Sequence, residues 1–241
     1  MRPPDFWRNP PERPGMAARL LSPLGQVYAG ATARRVARPP KASLSIPVIC
    51  VGNLNVGGTG KTPTVIWLIE ALAALHHRPF VVTRGHGGSE TRPLRVDAAI
   101  HSADRVGDEA LLLSAFADVV VAPDRAAGGQ LSEASGATVV VMDDGFQNPD
   151  LKKDLSLIVV DAETGFGNGR CLPAGPLREP LSAGLPRAQA VLAIGHADAQ
   201  RSFQSGWSDK IGVPIVSGQL EPLNTGMDWS TTRALAFAGI G

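Results

Sequence analysis

Cysteine is scarce in this 241-residue chain: Cys50 and Cys171 are the only two, which excludes a disulfide framework. Cys50 falls inside an apolar run and reads as a small core residue. Long hydrophobic runs are missing too, since no stretch approaches the roughly 18 residues needed to span a bilayer. Residues 16–33 faintly imitate a signal peptide with their Ala-Gly-Ala-Thr-Ala ending. A proline-rich segment precedes them, however, and Pro23, Gly25 and Gln26 interrupt them, so that reading is rejected. There is no internal repeat and no Asn-Lys-x-Asp segment of the kind that reads guanine. What remains is a chain long enough for a substantial core, of the kind expected of a cytosolic enzyme domain.

The overall net charge of +1 hides an asymmetry. Residues 1–41 carry eight Lys/Arg and two acids, a net +6; the remainder carries fifteen and twenty, a net −5. Ser22 is placed to cap a helix starting at Pro23. Leu24, Val27, Tyr28 and Ala31 share one face of it, extended upstream by Leu20 and Leu21, and Arg34, Arg35 and Arg38 follow at its end. An apolar stripe beside a cationic cluster suits a helix lying on an anionic membrane surface. A helix docked on its own domain, with solvated arginines, fits the same residues.

The strongest chemical signal is residues 47–64, PVICVGNLNVGGTGKTPT. Pro47 to Val51 read as a buried strand, and Thr62 onward as a helix with Val65, Leu68, Ile69 and Leu72 on one face. Between them the glycines let the backbone curl and aim its N–H groups at a phosphate chain. On this reading Asn55, Val56, Gly57, Gly58, Thr59, Gly60, Lys61 and Thr62 cradle a nucleotide. Lys61 reaches the β- and γ-phosphates, and the Thr62 hydroxyl meets Mg²⁺ at a helix N-terminus. Asn55 stands where the common P-loop pattern has glycine.

Two further clusters carry acid. Val139 to Met142 run apolar into Asp143 and Asp144, followed by Gly145-Phe146-Gln147. A strand that delivers a carboxylate in this way is the Walker B arrangement, and adjacent aspartates are costly without a cation nearby. Gly107-Asp108-Glu109 opens a helical pattern containing Leu111, Leu112 and Leu113. Asp108 suits helix capping, which the sequence by itself favours, or general-base chemistry at a sheet's ligand edge.

Short apolar runs at Pro79–Thr83, Asp118–Ala122, Thr138–Met142, Ser156–Val160, Ala190–Ile194, Val213–Ser217 and Ala234–Ala238 read as buried strands, with helical patterns at 107–116 and 124–134. The alternation predicts an α/β domain: a P-loop NTPase-like, doubly wound, mainly parallel sheet with flanking helices, preceded by the amphipathic N-terminal helix. Residues 1–40 form an N-terminal segment and 41–241 the P-loop domain. The stop at Ala-Gly-Ile-Gly241, after a strand and a glycine turn, is read as an interruption.

Together the run VGNLNVGGTGKTP, Arg84-Gly85-His86-Gly87, Val106-Gly107-Asp108-Glu109, Ala122-Pro123-Asp124-Arg125, Asp143-Asp144-Gly145-Phe146-Gln147 and the segment from Leu172 to Pro180 resemble the tetraacyldisaccharide 4′-kinase family of Gram-negative lipid A biosynthesis. The similarity runs from about residue 16 to the end, and the family usually lacks glycine where Asn55 stands. It implies ATP-dependent phosphorylation of the 4′-hydroxyl of tetraacyldisaccharide 1-phosphate, giving lipid IVA. It also implies Asp108 as base, Glu109, Asp143 or Asp144 and Thr62 near Mg²⁺, and Arg84, Arg125, Gln147 and Arg178 as substrate contacts; Arg125 and Arg178 could equally be structural ion pairs. The N-terminal helix resembles the family's membrane-associating element, which implies a peripheral enzyme on the cytoplasmic face of the inner membrane, with no nucleic acid or protein partner expected.

Some positions depart from the family. His86 replaces a usual aromatic residue, and a basic residue usual near Gly88 is missing. The family's downstream Asp-His-His segment has no counterpart in residues 1–241, and His76, His77, His101 and His196 lie in other motifs. If the chain ends at 241, nucleotide binding is expected to survive while lipid phosphorylation is impaired. Alternatives are a membrane-associated regulatory P-loop ATPase, disfavoured because Val56 rather than lysine precedes the Gly-Gly pair, and a kinase piece that binds nucleotide without efficient transfer.

Overall fold

The computed structural model describes residues 3–221. A long first helix, α1 (Met16–Val36), leads into β1 (Val48–Gly52), the strand that feeds the glycine loop. There follow α2 (Lys61–Ala74), β2 (Pro79–Thr83), β3 (Leu94–Arg95), α3 (Ala103–Val106), α4 (Asp108–Ser114) and β4 (Asp118–Val121). The chain continues through α5 (Arg125–Ala134), β5 (Val139–Asp143), β6 (Leu155–Asp161), α6 (Leu181–Gly184), β7 (Ala190–Ile194), α7 (Ala197–Trp207) and β8 (Ile215–Gly218). The strand expected at Ala234–Ala238 lies outside the described residues.

The strands form one sheet in the order β3-β4-β2-β5-β1-β6-β7-β8, parallel throughout except for the short edge pair β3–β4. Central strands with helices on both faces are buried on both sides, which is why Val139-Val140-Val141-Met142 is continuously apolar rather than alternating. Successive residues serve opposite faces. Cys50, Phe80, Met142 and Ile158 belong to one core, shared with Leu54, Phe146, Phe166 and Leu177. Val51, Val81, Val141 and Val159 belong to the other, closed by Val65 and Ile69 of α2 and Leu113 of α4. β1 lies between β5 and β6; the chain fills β2, β3 and β4 on one side, returns to β5, and then crosses β1 to lay down β6, β7 and β8 on the other, so the carboxyl ends of β1 and β5 open at the crevice where such sheets bind ligands.

The first helix differs from the sequence expectation. It begins at Met16 and carries Pro23 within it. Ser22 is therefore no cap; its hydroxyl donates back to the carbonyl of Ala18 at 2.7 Å. The expected apolar stripe also splits. Tyr28 packs against the core and Gly25 lies close against the Cys171 carbonyl, where a Cβ would stand 2.9 Å away. Met16, Leu20, Leu24 and Val27 instead point outward, 57–79% exposed. Among the described residues, no helix is long and apolar enough to cross a membrane.

Candidate nucleotide and metal site

The loop after β1 rises from two buried asparagines. Asn53 donates to the Thr59 hydroxyl at 3.2 Å across the base of the loop. Asn55 donates to the Gly165 carbonyl at 2.8 Å, and the Val56 amide donates to the Pro176 carbonyl at 2.8 Å. Asn55 and Val56 thus tie the loop's root to the segment after β6. Among the described residues, the amides of Gly57, Gly58, Thr59 and Gly60 find no acceptor. Gly60 caps α2 in the left-handed region (φ +85°), and a Cβ there would meet Ile194 at 2.7 Å. Only glycine turns the chain into the helix at this point. The result is a row of unpaired N–H groups at the start of a 14-residue helix, which favours anions.

Three carboxylates face that row. β5 pairs with β1 so that Val51 lies opposite Asp143, and the Asp144 amide donates to the Val51 carbonyl at 3.0 Å. Asp143 is 1% exposed; Thr83 at the end of β2 donates to its Oδ2 at 3.1 Å, while its buried Oδ1 has no hydrogen-bond partner. Burial, reinforced by the Glu109 and Asp144 carboxylates and opposed by Lys61 and the Thr83 hydroxyl, pushes Asp143 up to about 7. Asp144 sits at φ +46° and accepts from Arg178 at 2.8 Å, with the Lys61 ammonium 3.7 Å away. Glu109 accepts a short hydrogen bond from the Thr62 hydroxyl. Among the described residues no three acids lie close enough to enclose an ion by themselves; the orphaned Asp143 oxygen and the Thr62 hydroxyl instead fit the usual holding of Mg²⁺ by one or two protein oxygens completed by phosphate and water.

The remaining expected residues fall around this centre. Asp108 is exposed at the first position of α4; Gly107 is the cap residue, and Asp108 makes no capping bond. The loop from Arg84 to Gly88 lies directly on this turn, since a Cβ on Gly107 would sit 2.4 Å from the His86 carbonyl. Arg84 itself is exposed. Arg125 is buried at the start of α5, donating to the Ala122 carbonyl at 2.5 Å, with its Nε unpartnered. Desolvation lowers its pKa, and the Asp143 and Asp144 charges oppose that effect. Asp124 caps α5, accepting from Ala126 and Ala127. Gln147 is 7% exposed, and its amide donates to the Asn53 carbonyl and to Glu179, each at 2.9 Å. Thr83, Asn53 and Glu179 escaped the sequence reading. For Thr83 there was a signal: a lone hydroxyl closing an apolar strand at the ligand edge.

A family model described as tetraacyldisaccharide-1-P 4′-kinase matches residues 17–241. The chain is 57% identical over 242 residues to the tetraacyldisaccharide 4′-kinase of Dinoroseobacter shibae, covering all of this chain and 72% of that protein. It is 52% identical over 241 residues to the enzyme of the same name from Jannaschia sp., again over all of this chain and 73% of that protein. Among solved structures it is similar to LpxK from Aquifex aeolicus, crystallised in complex with ATP. Identity there is 29% and the TM-score 0.68, with 84% of this chain and 64% of that one covered.

Proposed function

The chain belongs to the tetraacyldisaccharide-1-P 4′-kinase family, and from that premise we propose that it transfers the γ-phosphoryl group of ATP to the 4′-hydroxyl of a tetraacylated glucosamine disaccharide 1-phosphate, yielding lipid IVA in lipid A biosynthesis. The observation that carries the reading is the convergence of Lys61, Thr62, Glu109, Asp143, Asp144 and Arg178 around the unpaired amides of Gly57 to Gly60.

Phosphoryl transfer asks little covalent chemistry of a protein; it needs charge neutralised and the two oxygens held in line. The amides from Gly57 to Thr62 hold the phosphate chain, with Asn55 and Val56 bracing the loop. Lys61 and Arg178, both beside Asp144, are placed to meet phosphate oxygens as charge builds on them. Thr62, Asp143, Asp144 and Glu109 are the residues that would hold Mg²⁺, directly or through water. When bound, that ion would offset phosphate charge. Asp108, exposed at the first position of α4 beside the Glu109 that meets Thr62, receives the proton of the attacking sugar hydroxyl. Arg84, exposed and near enough to Arg125 for their charges to interact, is assigned to the substrate, with the buried Arg125 adding positive charge behind it.

For the lipid itself, the exposed Met16, Leu20, Leu24 and Val27 of α1, followed by Arg34, Arg35 and Arg38, form an apolar stripe with a basic end. We assign this outward face of the N-terminal helix to contact with the anionic cytoplasmic surface of the inner membrane, where the acylated substrate resides.

The test is transfer of labelled phosphate from ATP to the disaccharide lipid in detergent micelles. Label should move only when the lipid is added, and GTP should not compete. Lys61→Ala and Asp108→Ala are each expected to lower kcat/KM by about a hundredfold or more. Equal activity in all three proteins would remove the mechanism.

A further inference from the structure

Behind the phosphate loop lies a buried polar chain that the transfer steps above do not use, and it includes Gln147, whose amide is turned inward and not toward a substrate. Glu179 is 3% exposed, directly after Arg178. Its Oε1 accepts from Gln147 at 2.9 Å and its Oε2 from Arg187, whose side chain also lies 4.3 Å from the Phe146 ring centroid and donates to the Phe146 carbonyl. The same Gln147 amide group donates to the Asn53 carbonyl at 2.9 Å, and Asn53 spans the loop to Thr59. The Arg178 amide donates to the Leu54 carbonyl at 2.7 Å, so the backbone on one side of Glu179 is fastened to the loop root as well.

Three segments are therefore linked through the Gln147–Glu179 pair: the root of the phosphate loop, the stretch following Asp143-Asp144, and the stretch that presents Arg178. A buried carboxylate is costly unless its lone pairs are filled, so this one holds its donors firmly. Gln147, with both donor hydrogens engaged inside the protein, works as the link between carboxylate and loop.

We propose that Glu179, acting through Gln147 and Asn53, is a positioning residue that sets the shape of the phosphate loop against the Asp143–Asp144 pair. The proposal rests on the nucleotide reading of that loop. Deleting the carboxylate frees the Gln147 amide, slackens the Asn53–Thr59 span and loosens Arg178 from the same side. The expected effect is on nucleotide capture, not on recognition of the lipid.

Steady-state kinetics with ATP and the disaccharide lipid in micelles, run beside thermal melting, test this. Glu179→Ala should raise KM for ATP by about tenfold, a range typical of supporting hydrogen bonds around a site, with KM for the lipid within about twofold of wild type. Glu179→Gln, which keeps an acceptor for the Gln147 amide, should recover most of that loss. Gln147→Leu cuts the same link while leaving the Glu179–Arg187 pair, and should reproduce the rise in KM for ATP even if Glu179→Ala fails to fold. A purely structural role would lower the active fraction, and so kcat, in step with the melting temperature and leave KM for ATP unmoved; that result overturns the proposal. A rise in KM for the lipid alone in Gln147→Leu overturns it too, by making Gln147 a substrate contact. Lys61→Ala separates the two levels. If it stays active, the nucleotide reading itself fails; if it is inactive while Glu179→Ala and Gln147→Leu keep a normal KM for ATP, only the positioning role fails.

Discussion

Asp143 is where the site's chemistry meets its stability. Its carboxyl is held near 7 in the folded protein by burial and by the neighbouring acids, against about 4 for an exposed aspartate. A carboxyl raised on folding stabilises fully below its unfolded value and loses that contribution as pH climbs toward its folded one. The ligand-free wild type should therefore lose stability relative to Asp143→Asn between about pH 4 and pH 7, with the gap levelling above. Denaturant melts of both proteins across that range measure it; a gap independent of pH, or one moving in favour of the wild type, contradicts the assignment. Lys61, Thr62, Asp143 and Asp144 were all legible in the sequence because each motif is contiguous and its chemistry local. The wiring of Gln147 was not. Its partners Asn53 and Glu179 lie 94 and 32 positions away, and no spacing rule reaches across that distance.

At the scale of elements, apolar runs identified the strands from β1 to β8 to within a residue or two, apart from β3. That strand has two residues and pairs only at the sheet edge, too short for any periodic signal. The start of α1 was misread because Ser-Pro resembles a cap followed by a first helical position, yet a helix with a long N-terminal stretch tolerates Pro23 when tertiary contacts at Gly25 and Tyr28 hold it down. The consequence is a longer outward stripe than the sequence suggested, reaching back to Met16. Leu20→Glu and Leu24→Glu should each weaken binding to vesicles containing anionic phospholipid. Because both residues are exposed, folding stability should stay within about 0.5 kcal/mol of wild type. Cosedimentation and melting curves decide it: undiminished vesicle binding would leave α1 with a purely internal role.

For the whole molecule, the alternation of strands and helices announced a parallel, doubly wound sheet, but not the insertion of β5 between β1 and β2. That order depends on where each crossover lands, a tertiary choice that composition does not encode. It matters because it alone sets Asp143 beside Val51 and so brings the acidic pair to the glycine loop. The central claim is that a triphosphate lies along Gly57 to Thr62 with its divalent cation toward Asp143 and Asp144. The most direct measurement is a crystal structure with Mg²⁺ and a non-hydrolysable ATP analogue. It should place the terminal phosphate at Lys61, replace the Lys61–Asp144 and Thr62–Glu109 contacts with contacts to phosphate and ion, and put the ion within ligand or water-bridged distance of Thr62 and Asp143 or Asp144. Nucleotide bound elsewhere on the sheet, with those contacts intact, would contradict it.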